Sequence, residues 1–148
     1  MTADTQLRIA HEQKNVFATK EASGNFELIH QVLKNKPEDF MVISGDDGIT
    51  LPMIACGAEG VISVIANAYP QSYSTMVRFC LMGNYQQARV LHYNFLEIIN
   101  SLFTEGSPSG IKACLHEMGL CKNTFRMPVY PVSEKHLSKI RDLMKSLN

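Results

Sequence analysis

The chain has 148 residues and carries 14 basic and 14 acidic side chains, a formal net charge of zero. Hydrophobic residues make up 45% and charged residues 19%, which is the composition of a folded domain with a real core and excludes a disordered chain. Balanced charge leaves no electrostatic footprint for nucleic acid or an anionic membrane surface, and no apolar run is long enough to span a bilayer.

The first element is a short helix over about Thr2 to Lys14, with Thr2 as N-cap and Asp4 in the favourable first turn. Its first residues lack the basic and then apolar pattern of a signal peptide. Val16 to Thr19 then reads as a buried strand, closed by the polar turn Lys20 to Asn25. Phe26, Ile29 and Leu33 recur at helical spacing, and Pro37 stops that helix from outside. The pattern repeats: Phe40 to Ile43 is a second apolar strand, Ser44-Gly45-Asp46-Asp47-Gly48 its turn, and a short helix runs through Leu51 and Ile54. Gly60 to Val64 is a third strand ending near Asn67. Short apolar strands alternating with helices predict an α/β fold with a parallel sheet, its crossovers right-handed.

After Tyr69 only helices are expected: about Gln71 to Met82, Tyr85 to Phe103, Ile111 to Met118, and a last one capped by Ser133. The predicted division is therefore residues 1–68, with the three strands, and residues 69–148, all helical. The stripe Ala88, Leu91, Phe95, Ile98 and Leu102 reads as core. The cysteines, Cys56, Cys80, Cys114 and Cys121, form no CxxC pair and read as reduced thiols. No zinc site or other metal is expected from them, and a reducing cytoplasm is the consistent setting.

Two features carry chemistry. Lys20 closes an otherwise apolar strand, and parallel α/β folds gather catalytic groups at the C-terminal ends of their strands. Burial there disfavours the ammonium, and a partly neutral lysine is a nucleophile for a ketone. The spacing equally allows a lysine that snorkels to solvent or pairs with Glu21 or Asp46. Asp46 and Asp47 suit either a metal or the capping of the next helix. A third ligand is missing, which favours the cap. A receiver domain with paired acids and a lysine is a rival, but there the acids precede the lysine.

The strings Ala18-Thr19-Lys20-Glu21-Ala22-Ser23-Gly24-Asn25, Ile43-Ser44-Gly45-Asp46-Asp47 and Gly60-Val61-Ile62-Ser63-Val64-Ile65-Ala66-Asn67 stand in that order. Phe103 to Pro108 follows, ahead of Lys112-Ala113. Together they resemble the dihydrodipicolinate synthase family of Schiff-base pyruvate aldolases, over essentially the whole chain.

The resemblance implies the C-terminal part of a TIM (β/α)8 barrel, contributing three strands, followed by a C-terminal helical segment. It implies that Lys20 forms an imine with pyruvate, whose enamine attacks aspartate semialdehyde, in lysine and diaminopimelate biosynthesis. Ile62 matches a residue that meets pyruvate through its backbone, and Gly45 matches a backbone position lining the same pocket. No cofactor and no metal are expected.

A whole barrel needs about 250 residues and eight strands. The family's tyrosine proton relay, its carboxylate-binding threonines, its arginine for the semialdehyde and its lysine-feedback site match nothing here. Tyr69, Tyr73, Tyr85, Tyr93 and Tyr130 fall in other segments, and Ser107 stands where the family usually has asparagine. Met1 falls where an internal residue is expected, so a truncated or split gene, or an engineered fragment, is the expectation. The expected partners are a homo-oligomer or a chain supplying the other half, and the isolated chain is expected to be inactive. Two other readings stand: a non-catalytic half-barrel that assembles through open sheet edges, and a fragment of a related aldolase such as N-acetylneuraminate lyase.

Overall fold

The structure is a computed structural model and describes residues 1–147. Helix α1 (Ala3–Glu12) begins where Thr2 caps it, the Thr2 hydroxyl accepting the Thr5 N–H at 3.2 Å. Strand β1 (Ala18–Glu21) follows, then helix α2 (Phe26–Asn35), capped by the Asn25 side chain. Strand β2 (Met41–Ser44) leads through a 3-10 turn at Asp47–Ile49 into α3 (Thr50–Ala55), and β3 (Gly60–Val61) completes the sheet. The rest is helical: α4 (Pro70–Leu81), α5 (Tyr85–Phe103), α6 (Ser109–Glu117) and α7 (Glu134–Lys145), the last capped by Ser133.

The three strands form one parallel sheet in the order β1-β2-β3, as the strand–helix alternation predicts. Lys20 pairs with Ile43, and Ile43 with Gly60. The third strand is shorter than its apolar run suggests. Val64 and Ile65 give their N–H groups to the Asp47 carboxylate, and Ile65–Asn67 turns into a 3-10 helix instead of extending the ladder.

Side chains alternate across the sheet. Val42 and Ser44 are fully buried on the face where Ile29, Val32 and Met53 of α2 and α3 cluster. The other face is bare, leaving Met41 and Ile62 exposed. Behind the covered face, α4 packs on α5, with Tyr69 and Tyr73 set against Phe95 at centroid separations of 5.6 and 5.9 Å. Each buried side chain of this size contributes roughly 1.5–3 kcal/mol. Helix α6 comes so close to α5 that a Cβ on Gly110 would collide with the Leu102 carbonyl oxygen, so only glycine permits the approach.

Candidate active site

The C-terminal ends of the three strands open onto one side of the sheet, and the predicted residues stand there. The geometry starts from Gly45, whose N–H extends the ladder to the Glu21 carbonyl at 2.8 Å. The Lys20 stem crosses directly over Gly45. A Cβ at that position would lie 2.9 Å from Lys20 Cγ, Lys20 Cε and Ala22 Cβ, so the absent side chain is what lets the lysine lie there. Ile62 stands one strand further on, its N–H bonded to the Ser44 carbonyl at 2.9 Å. Among the described residues no donor reaches the Ile62 carbonyl, which leaves it as the backbone group available to a ligand. Lys20 and Gly45 are thus in contact, while Ile62 shares their sheet face two strands from Lys20.

Lys20 differs in one respect from a lysine closing an apolar strand. It is exposed, because the sheet face that it occupies is uncovered. The desolvation that the apolar strand suggests is therefore not supplied by this chain's own residues. Nor does the lysine form the alternative ion pairs: among the described residues its ammonium has no hydrogen-bond or salt-bridge partner.

The two acids that might have paired with it are engaged elsewhere. Glu21 is buried on the opposite face, where it accepts the Ser23 N–H at 2.6 Å and the Gln6 amide at 3.0 Å. Burial works to raise its pKa, but the hydrogen bonds from Ser23 and Gln6 outweigh it and the carboxyl lies below its usual value. Gln6 also accepts from Thr19, which ties α1 to β1. Asp46 caps the 3-10 turn through the Gly48 N–H at 2.8 Å.

Asp47 is a structural clamp. One carboxylate oxygen accepts the Val64 and Ile65 N–H groups at 2.9 and 2.8 Å, which fixes the chain immediately beyond Ile62. The Tyr73 hydroxyl donates to the Asp47 main-chain carbonyl at 2.9 Å. Burial, reinforced by the Asp47 charge, pushes the Tyr73 phenol far up, so it stays a hydrogen-bond donor and does not move protons. Burial also pushes the Tyr69 phenol up, to about 12. Both acids therefore cap and tie loops. Among the described residues no group of three metal-ligating side chains converges.

On α5, Ile99, Asn100 and Phe103 face Gly45, Asp46 and Ala22 across an open cleft of 390 Å³. The sequence reading named Phe103 only as a helix end and the start of a matching string, and passed over Ile99 and Asn100. Among the described residues no helix is long and apolar enough to cross a membrane.

Comparison with known proteins identifies the family and the fold. The pattern of the dihydrodipicolinate synthetase family matches residues 1–147. The 4-hydroxy-tetrahydrodipicolinate synthase of Parabacteroides distasonis is 49% identical over 148 residues, which cover all of this chain and 50% of the relative. The solved dihydrodipicolinate synthase of Aquifex aeolicus superposes with a TM-score of 0.94 at 37% identity, over 97% of this chain and 49% of that one. The Thermotoga maritima structure gives 0.95 at 33% identity, over 98% and 50%. The chain spans about half the length of the curated relatives it matches. Its three parallel strands and their helices are the C-terminal part of a (β/α)8 barrel, and the chain belongs to the dihydrodipicolinate synthetase family.

Proposed function

We propose that this chain is the lysine-bearing part of a lyase that condenses pyruvate with aspartate semialdehyde, with Lys20 as the Schiff-base residue. The observation that carries the reading is the Lys20 ammonium at the end of a parallel strand, without a partner among the described residues, its stem resting on Gly45. A lysine amine attacks the keto carbon of pyruvate and loses water to give an iminium. Removal of a methyl proton then gives the enamine that adds to the aldehyde. The Gly45 backbone lines the pyruvate pocket in this reading, and the Ile62 carbonyl meets pyruvate directly. The proton relay, the carboxylate-binding groups and the aldehyde-binding arginine belong to the part of the relatives that this chain does not span. The chain works in the cytoplasm, in lysine and diaminopimelate biosynthesis, as an oligomer or with a chain carrying that other part.

Imine formation and turnover both need proton transfers, and positioned acid–base groups contribute typically about 10²–10⁴-fold to such steps. The chain alone should therefore trap pyruvate slowly under borohydride and show no condensation in a coupled reductase assay. Supplying the N-terminal half of the Parabacteroides distasonis relative as a second chain should raise both together, and Lys20→Ala should abolish both. An adduct on a different lysine, or turnover that survives Lys20→Ala, refutes the assignment.

A further inference from the structure

We propose that Asp47 is a positioning residue for the pyruvate site: its carboxylate halts the β2–β3 ladder early and so keeps the Ile62 carbonyl out of the sheet and free for the substrate. The part that concerns pyruvate rests on the reading of Lys20 and Ile62 given above. The part that concerns the ladder stands on the backbone alone.

The ladder defines where that carbonyl would otherwise go. A parallel pair makes evenly spaced bonds, in which alternate residues of one strand give their N–H and C=O groups to the neighbouring strand. Ser44 pairs with Val61, and the last bond of the series runs from the Ile62 N–H to the Ser44 carbonyl at 2.9 Å. Continuing the series would join the Asp46 N–H to the Ile62 carbonyl, and the Val64 N–H to the Asp46 carbonyl. Among the described residues neither bond forms. The Val64 N–H goes instead to Asp47 Oδ2 at 2.9 Å, and the same oxygen takes the Ile65 N–H at 2.8 Å. The Asp46 N–H turns back to the Ser44 hydroxyl at 3.3 Å, and the Asp46 carbonyl accepts from the Thr50 hydroxyl at 2.9 Å. Each group that would close the next rung is thus diverted, and the Ile62 carbonyl is left as the acceptor without a donor.

Asp47 can impose this because it is held from behind. Its residue is 2% exposed, and the buried Tyr73 hydroxyl on α4 donates to its main-chain carbonyl at 2.9 Å. Helix α4 also packs on the 3-10 turn at Ile65–Asn67 that the carboxylate fastens. Val64 accordingly takes φ −83° and ψ −49°, a helical conformation in which a strand cannot continue. The long bond from Asp46 to Ser44 is the weak member of the set, so releasing Val64 lets the Asp46 N–H turn to the Ile62 carbonyl.

The test follows amide hydrogen exchange by NMR on the full chain, in sucrose so that a weakened variant stays folded. In Asp47→Ala the rung should close, and the Asp46 amide should exchange about tenfold more slowly than in the parent while Ile65 exchanges faster. A carboxylate that only added stability would leave no amide slower. Asp47→Asn keeps an oxygen for both N–H groups and should exchange like the parent. Borohydride trapping across pyruvate concentrations is the second arm. Asp47→Ala should need about tenfold more pyruvate for half-maximal labelling of Lys20, with the limiting rate unchanged, and Asp47→Asn should restore the parent's requirement. An Asp46 amide no slower in the alanine variant overturns the proposal, as does an asparagine variant that needs as much pyruvate as alanine. A parent chain that forms no adduct at Lys20 sinks the reading of the site, and the exchange arm then decides the ladder by itself.

Discussion

Replacing Asp47 isolates the contribution of the clamp that fixes the end of β3. The carboxylate is 2% exposed and takes two N–H bonds, from Val64 and Ile65, on a single oxygen. Hydrogen bonds to a charged group contribute about 1.5–3 kcal/mol each, and a buried donor left unpaired costs about 1–3 kcal/mol. Burying the carboxylate offsets part of this, because its other oxygen has no partner. Asp47→Ala should therefore lose about 3 kcal/mol, which for a chain of this size lowers the melting midpoint by roughly 6–12 °C. Asparagine is the discriminating control, since its carbonyl oxygen can still accept both N–H groups without a charge. Asp47→Asn should lose only about 1 kcal/mol. Urea unfolding followed by circular dichroism measures all three chains at one pH. An alanine variant within 1 kcal/mol of the parent, or an asparagine variant as weak as alanine, refutes the clamp.

Two further outcomes follow from the site. Gly45→Ala places a methyl 2.9 Å from Ala22 Cβ and from the Lys20 stem. The lysine stem can swing aside but Ala22 Cβ is fixed to its backbone, so stability should fall by about 1–3 kcal/mol. Displacing the amine by about 1 Å should cut pyruvate trapping in the two-chain assay by on the order of 10²-fold, and undiminished trapping would contradict the contact. Glu21 has its folded pKa below the usual 4.5, so its contribution is present above the unfolded value and is lost as pH falls through the folded one. Across this acid window Glu21→Gln should lose less stability than the parent, and parallel urea midpoints from pH 6 to pH 3 would show that the Ser23 and Gln6 bonds are not what lowers it.

The parts of this structure legible in the sequence are those set by local chemistry. Thr2 and Ser133 announce their helices because capping is written within three residues, and the alternation of apolar runs with helices gives the parallel order of the strands. Lys20 and Gly45 stood out through their strings. Their contact was not readable, because it depends on a stem laid across a neighbouring strand. The end of β3 was misread for a similar reason. Nothing within the run from Ile62 to Ile65 indicates that a carboxylate 17 residues earlier captures the Val64 N–H. The exposure of Lys20 is likewise a property of what covers the sheet, and an apolar strand suggests burial whether or not the cover is present in the chain.

The brevity of β3 also shapes how the molecule can aggregate. Only Gly60 and Val61 run as strand along that margin of the sheet, and the chain then curls into a turn fastened by Asp47. A newcomer strand would find at most a couple of backbone groups in line, too few to template a growing fibril. On this side of the sheet contacts fall to the bare side-chain face with Met41 and Ile62, while the four-residue β1 forms the other open edge. That face is finite and is consumed when one partner covers it, so its contacts saturate in closed pairs and do not propagate into filaments.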